Sequence, residues 1–163
     1  SQVGRFVAWT PNGARAWSFA MPHSDDLVAP VGIAANSYLY VRGSKAIYAF
    51  GPSGELLWEH EIDPALKPNK VFAPAPTNDS GVVVARNENS LVAFSRAGSP
   101  SWEFQLPSNA KLSEAPKITP DGNIFALTAD GVFSISPAGH MLWYRSFTEP
   151  GFPSSDVKTP ASP

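Results

Sequence analysis

Residues 46–61 read AIYAFGPSGELLWEHE. Ile47, Tyr48 and Phe50 form a short apolar alternation that runs into a Pro-Ser-Gly turn, and a second apolar run ends on Trp58. Period-2 patterning on either side of turn residues reads as a β-hairpin. The same pattern is written three more times: RFVAWTPNGARAWSF at 5–19, SLVAFSRAGSPSWEF at 90–104 and GVFSISPAGHMLWYRSF at 131–147. Its glycines are Gly13, Gly54, Gly98 and Gly139, its tryptophans Trp17, Trp58, Trp102 and Trp143, and both series step by 41, 44 and 41 residues. A fixed period in the forties marks a repeat architecture.

The chain between the hairpins repeats as well. After Pro30 comes a weak strand, PVGIAA, an Asn36-Ser37 turn and a strong strand, YLYVR, at 38–42. After Pro74 come PAPT, the turn at 78–81 and VVVAR at 82–86; after Pro116 come PKIT, a Pro-Asp-Gly turn and NIFALT at 123–128. Asn, Asp and Gly supply the positive φ that such turns need. Each cycle therefore predicts four antiparallel strands, and no stretch carries a capped helical period. EIDPALKPNK comes nearest, but Pro64 and Pro68 limit it to one turn. Short, evenly spaced strands with one aromatic motif per repeat predict an all-β propeller of four-stranded antiparallel blades, with about 14 strands.

The expected repeats are 1–20, 21–61, 62–105 and 106–147, with 148–163 the start of a truncated next repeat or a tail, so 1–163 is one partial propeller of about 3.5–4 blades. Pro30, Pro74, Pro116 and Pro160 step by 44, 42 and 44. Pro30 to Trp58 spans 28 residues, whereas wrapping from Pro160 through the termini to Trp17 spans 20. That shortfall predicts part of a larger ring, roughly half of an eight-bladed one. Open blade faces are expected to be covered by the remaining blades of a parent chain, by a protein partner or by self-association.

Composition narrows the functional classes. The formal charge is −2, 43% of residues are hydrophobic, and 17 prolines and 12 glycines sit as regular punctuation. Lys and Arg are not clustered, which argues against a nucleic-acid surface. No run of 18 apolar residues is present to span a membrane. The opening SQVGRFVAW lacks the regions of a secretory signal. Without cysteine there are no disulfides and no thiolate chemistry, and both cytosol and periplasm are compatible.

From Arg5 to Phe147 the chain resembles the quinoprotein-like, or PQQ-like, β-propeller repeat family, whose signature is similar to YAFGPSGELLW. The small residue of the motif matches Ala8, Ala49, Ala93 and Ser134; the glycine matches Gly13, Gly54, Gly98 and Gly139; the indole matches the four tryptophans. The resemblance implies that these tryptophans dock between adjacent blades. The family includes quinone-cofactor dehydrogenases and non-catalytic propellers, among them a lipoprotein of the outer-membrane-assembly machinery. This sequence departs from the dehydrogenase pattern. Its turn is one residue shorter, the usual Asp is replaced by Thr10, Gly51, Ser95 and Ser136, and the paired cysteines are missing.

The polar candidates are modest. His23-Ser24-Asp25-Asp26 is the densest cluster, but adjacent residues on one loop rarely converge on a metal or substrate, so a solvated loop is expected. His60 holds the place of Phe19 and Phe104 and should be semi-buried, and His140 should face solvent. Arg42 and Arg86 end equivalent strong strands. With His23, Asp25, Lys45, Lys67, Lys70, Glu88, Lys111 and Glu114 they form a candidate interaction face of mixed sign at one end of the blades. Asn78-Asp79-Ser80-Gly81 and Asp121-Gly122-Asn123 lack the carboxylate spacing of a calcium loop and read as turns; Asn78-Asp79-Ser80 also matches a glycosylation acceptor. The expected function is a non-catalytic scaffold that binds protein partners, periplasmic or extracellular, with cell-envelope assembly as a candidate role and with no cofactor, no catalytic residue and no metal ligand. The alternatives are part of a PQQ- and calcium-dependent dehydrogenase, or a glycan-binding or glycan-cleaving propeller.

Overall fold

In the computed structural model, which describes residues 5–63, 70–79 and 81–148, 14 strands pair into four antiparallel sheets. The first holds β1 (Arg5–Trp9) and β2 (Arg15–Ala20). The second holds β3 (Gly32–Ile33), β4 (Leu39–Arg42), β5 (Ala46–Phe50) and β6 (Leu56–Glu61). The third holds β7 (Ala75–Pro76), β8 (Val82–Asn87), β9 (Ser90–Phe94) and β10 (Pro100–Gln105). The fourth holds β11 (Lys117–Ile118), β12 (Ile124–Leu127), β13 (Gly131–Ile135) and β14 (Met141–Ser146). Each four-stranded sheet is a meander in sequence order, as in a propeller blade. The short strands β3, β7 and β11 lie side by side across the sheets. Among the described residues the only helical element is a 3₁₀ turn, Pro22–Ser24. Residues 64–69 of the EIDPALKPNK segment, and the tail that includes Pro160, lie outside the described residues.

The hairpin turns explain the spacing of glycine and tryptophan. In the second sheet Gly54 N–H donates to Gly51 O at 3.0 Å and Gly51 N–H donates to Glu55 O at 2.9 Å. The same pair of bonds closes the turns at Thr10–Ala14, Ser95–Ser99 and Ser136–His140. Each turn glycine has φ between +80° and +84°, and each hairpin shifts register beside it. This is a tight turn followed by a left-handed bulge residue, which glycine adopts at no steric cost.

Burial follows the period of two. In β5, Ile47 and Ala49 face the third sheet, while Ala46, Tyr48 and Phe50 face the first. In β8, Val82 and Val84 face the second sheet, while Val83 and Ala85 face the fourth. Three separate apolar cores result, one at each blade-to-blade interface. The central strands β5 and β8 are buried on both faces, which is why they read as near-continuous apolar runs.

The four tryptophans are not equivalent, although the resemblance implies that all four dock between adjacent blades. Trp17, Trp58 and Trp102 are half-buried at interfaces, whereas Trp143 is 42% exposed on β14, alongside Met141, Leu142 and Tyr144. The physical reason is that each docked indole lies on the following sheet, and among the described residues no sheet follows β14.

Candidate functional site

The interface joint is built from one indole and one glycine. Trp17 Nε1 donates to Pro52 O at 3.1 Å, Trp58 Nε1 to Arg96 O at 3.0 Å, and Trp102 Nε1 to Pro137 O at 2.9 Å. Each acceptor sits in the turn of the next blade. The ring then lies against the turn glycine. A Cβ built on Gly54, Gly98 or Gly139 would stand 2.6–2.7 Å from Trp17, Trp58 or Trp102, respectively. At Gly13 a Cβ would meet nothing within 4 Å. Glycine is thus needed for φ at all four turns and for close approach at three of them. Gly13→Ala should therefore cost only the left-handed backbone penalty, about 1–2 kcal/mol. Gly139→Ala should cost about 1–3 kcal/mol more, for overpacking against Trp102. Equal unfolding free energies for the two variants in urea would overturn this account.

The loop of the first cycle forms a buried carboxylate site rather than the solvated loop expected. Asp25 is fully buried. Its Oδ1 accepts from Asp26 N at 2.8 Å, Ser44 N at 2.9 Å, Ser44 Oγ at 2.5 Å and Lys45 N at 3.1 Å. Its Oδ2 accepts from Lys45 N at 3.1 Å, Ala46 N at 3.3 Å and Tyr48 Oη at 3.0 Å. Burial pushes the Asp25 carboxyl pKa up. The bonds from the Ser44 side chain, the Lys45 backbone, the Tyr48 hydroxyl and the Asp26 backbone outweigh it, and the net shift is downward. Burial and the bond to Asp25 push the Tyr48 phenol up. A Cβ on Gly43 would meet Asp25 Oδ2 at 2.1 Å, so glycine there makes room for the carboxylate. Lys45 Nζ donates to His23 O at 3.0 Å, and His23 Nε2 lies 3.2 Å from Glu59 Oε1. These contacts hold His23 and Ser24 at φ of 54° and 52°, a left-handed pair that is costly for residues bearing a Cβ.

Arg42 departs from expectation too. It is 3% exposed, not on a surface face. It stands opposite Ile47 in regular register and so shares the face of Ile47, towards the third sheet. Arg86, expected at the equivalent place, is instead the extra residue at a register shift between Ala85 and Asn87 and is half-buried; the place of Arg42 is taken by Ala85, opposite Leu91. Arg86 Nη1 reaches Glu103 Oε1 and Oε2 at 3.2 and 3.1 Å. Arg86, at the bulge, reaches a carboxylate, whereas regular pairing turns Arg42 inward. Arg42 Nε is buried with no hydrogen-bond partner. Burial lowers its pKa to about 10, with the Asp25 charge acting in the opposite direction, so the guanidinium is charged at neutral pH.

The remaining candidates scatter. His23, Lys45 and Lys70 are exposed. Lys111 pairs with Glu88 at 3.7 Å and Lys117 with Glu114 at 3.8 Å, while Lys67 lies outside the described residues. His60 is half-buried, its ring centroid 4.6 Å from that of Phe94, and His140 is exposed. Asn78 Nδ2 donates to Pro120 O at 2.7 Å, tying one blade's turn to the next. Asp79 accepts from Thr77 Oγ1 and from Gly81 N, and those bonds hold its carboxyl below the usual range. Among the described residues no group of three or more His, Cys, Asp or Glu is placed to hold a metal ion.

A family model described as outer membrane protein assembly factor BamB matches residues 3–156. The chain belongs to the PQQ-like β-propeller family. Solved structures carry the same fold. BamB from Moraxella catarrhalis aligns with a TM-score of 0.69 at 17% identity, over 88% of this chain and 42% of its own. Virginiamycin B lyase from Staphylococcus aureus aligns at 0.64 and 14%, over 90% and 50%. A europium-containing methanol dehydrogenase aligns at 0.57 and 11%, over 87% and 27%. The chain thus spans half or less of the length of these three, and at such identities the likeness is one of fold. No match was found among curated proteins. In PQQ-like terms, the position of the usual Asp serves the turn itself here. Thr10, Ser95 and Ser136 accept through Oγ from Ala14 N, Ser99 N and His140 N, at 3.1–3.3 Å. No helix among the described residues is long and apolar enough to cross a membrane, which says nothing of strands.

Proposed function

We propose that this chain is a non-catalytic propeller scaffold that binds protein partners in the cell envelope and serves the assembly of outer-membrane proteins. The observation that carries the reading is the match of the assembly-factor family model over residues 3–156. The charged rim supports it. His23–Glu59, Arg86–Glu103 and Lys111–Glu88 pair opposite signs across neighbouring elements, a polar mosaic suited to a protein surface. His23, Glu88 and Lys111 lie in connections between strands, and Glu59, Arg86 and Glu103 on the strands beside them, so the mosaic is held by the sheets.

A calcium-bound quinone does not fit the innermost strands. Gly32–Ile33, Ala75–Pro76 and Lys117–Ile118 offer no carboxylate and one ammonium, and the hydroxyls at the usual Asp position are spent on turns. Adding the quinone with calcium should leave the melting temperature unchanged, because only a ligand that binds the native state raises it. A saturable rise would favour the dehydrogenase reading. The scaffold reading itself is tested in the host cell. Deleting the gene should lower the content of folded outer-membrane proteins, and re-expression should restore it. Wild-type levels after deletion would overturn the proposed role.

A further inference from the structure

The crevice between the second and third sheets holds a buried guanidinium whose Nε has no hydrogen-bond partner. It has a volume of about 340 Å³, near the lower end of ligand pockets, about 300–1,000 Å³, and fits one or two side chains. Ile47, Val84, Val92 and Phe94 give it an apolar wall, and Trp102 and Pro100 close one side. Arg42 lines it from the second sheet, nine-tenths and more buried, with Nε unpartnered. Arg86 lines it from the third, already held by Glu103. His60, Glu61 and Asp63 stand along the crevice on the β6 side.

A guanidinium buried without an acceptor is costly, and replacing such a charge by an apolar side chain of similar volume is often neutral or stabilising. At this register position the other two blades carry apolar side chains, Ala85 opposite Leu91 and Leu127 opposite Val132. Among the described residues, Arg42 Nε is the one buried side-chain donor without a partner, and it stands beside an apolar wall. Arginine's planar fork matches a carboxylate bidentately.

We infer that this crevice is a receptor for one carboxylate-bearing side chain of a protein partner, a glutamate next to an aliphatic residue, with Arg42 as the anchor and the Ile47–Val84–Phe94 wall taking the aliphatic neighbour. The inference rests on the scaffold reading and names the chemistry of the partner's contact. Glu61, Glu103 and Asp63 at the mouth disfavour a second acidic residue, so the fitting segment carries a single carboxylate between apolar groups.

The test uses the full chain and two blocked tripeptides, Ac-Leu-Glu-Leu-NH2 and Ac-Leu-Gln-Leu-NH2, each titrated to about 10 mM, tenfold above the millimolar dissociation constant of a weak fragment. The readout is the Arg42 Nε–Hε resonance. It should move saturably with the Glu peptide and at least tenfold less with the Gln peptide. Arg42→Met lacks that reporter, so there the backbone amides of Val84 and Phe94 are followed instead; they should no longer move with the Glu peptide, and the melting temperature should not fall, whereas Arg15→Met, on the exposed β2, should leave the Arg42 response intact. No movement with the Glu peptide, or equal movement with both, overturns the proposal, and this measurement needs no variant to fold. Failure here with outer-membrane protein loss on gene deletion would remove the carboxylate receptor and leave the scaffold standing. A selective peptide response with normal outer-membrane proteins would do the reverse.

Discussion

Trp102→Ala is expected to destabilise the chain by about 3–5 kcal/mol, the cost of deleting a large aromatic side chain from a packed interface. Its ring fills the joint between the third and fourth sheets, lies on Gly139 and donates to Pro137 O at 2.9 Å. Truncation leaves a cavity against Ile124, Ile135 and Phe104 in the same core, and leaves Pro137 O without its donor. Trp143→Ala is the natural control, since that indole is 42% exposed on β14 and makes a ring contact with Phe125 without a blade to dock on, and its cost should be smaller, about 1–2 kcal/mol. Urea denaturation gives both numbers. A Trp102→Ala variant with the parent's midpoint and m-value would show that the indole does not hold the blades together. A further check is coupling: in a Trp102→Ala background, Gly139→Ala should lose the overpacking part of its cost and keep only the backbone part, a non-additivity expected of residues in contact.

These joints were the most legible feature of the sequence. A glycine that must take positive φ and a tryptophan four residues later impose their spacing on every repeat, so the period could be counted directly. The alternation in VVVAR and AIYAF likewise marked strands buried on both faces. What was hidden depends on contacts across distant segments. HSDD reads as a polar loop because nothing local shows that Asp25 faces the N–H groups of Ser44, Lys45 and Ala46, some twenty residues on. The one available signal was Gly43-Ser44, a small pair just where a carboxylate enters. Arg42 and Arg86 look alike in sequence and part company through a single bulge, which no residue pattern announced. Trp143 reads like its sisters because the motif records the joint's donor half, while exposure depends on whether an acceptor turn is present.

Asp25→Ala is the second large expected effect. The carboxylate is fully buried and accepts from four backbone N–H groups and two hydroxyls, and hydrogen bonds to a charged group contribute about 1.5–3 kcal/mol each when one partner is removed. Not all of these are independent, and water can enter the vacated space, so a total of about 3 kcal/mol is expected. Asp25→Asn should cost most of the same amount despite its shape. The amide offers one acceptor oxygen and points N–H donors at Lys45 N–H and the Tyr48 hydroxyl, where an acceptor is required. The pH dependence fixes the sign. The folded-state pKa lies below the unfolded value of about 3.9. The charged form therefore contributes its full stability above that unfolded value, and the contribution falls away as pH drops from about 4 through the depressed folded pKa. The stability gap between parent and Asp25→Asn should be constant from pH 7 to about 5 and shrink on further acidification, as chemical denaturation at each pH would measure. A gap that stays constant down to pH 2 would mean that the six donors do not hold the carboxyl ionised.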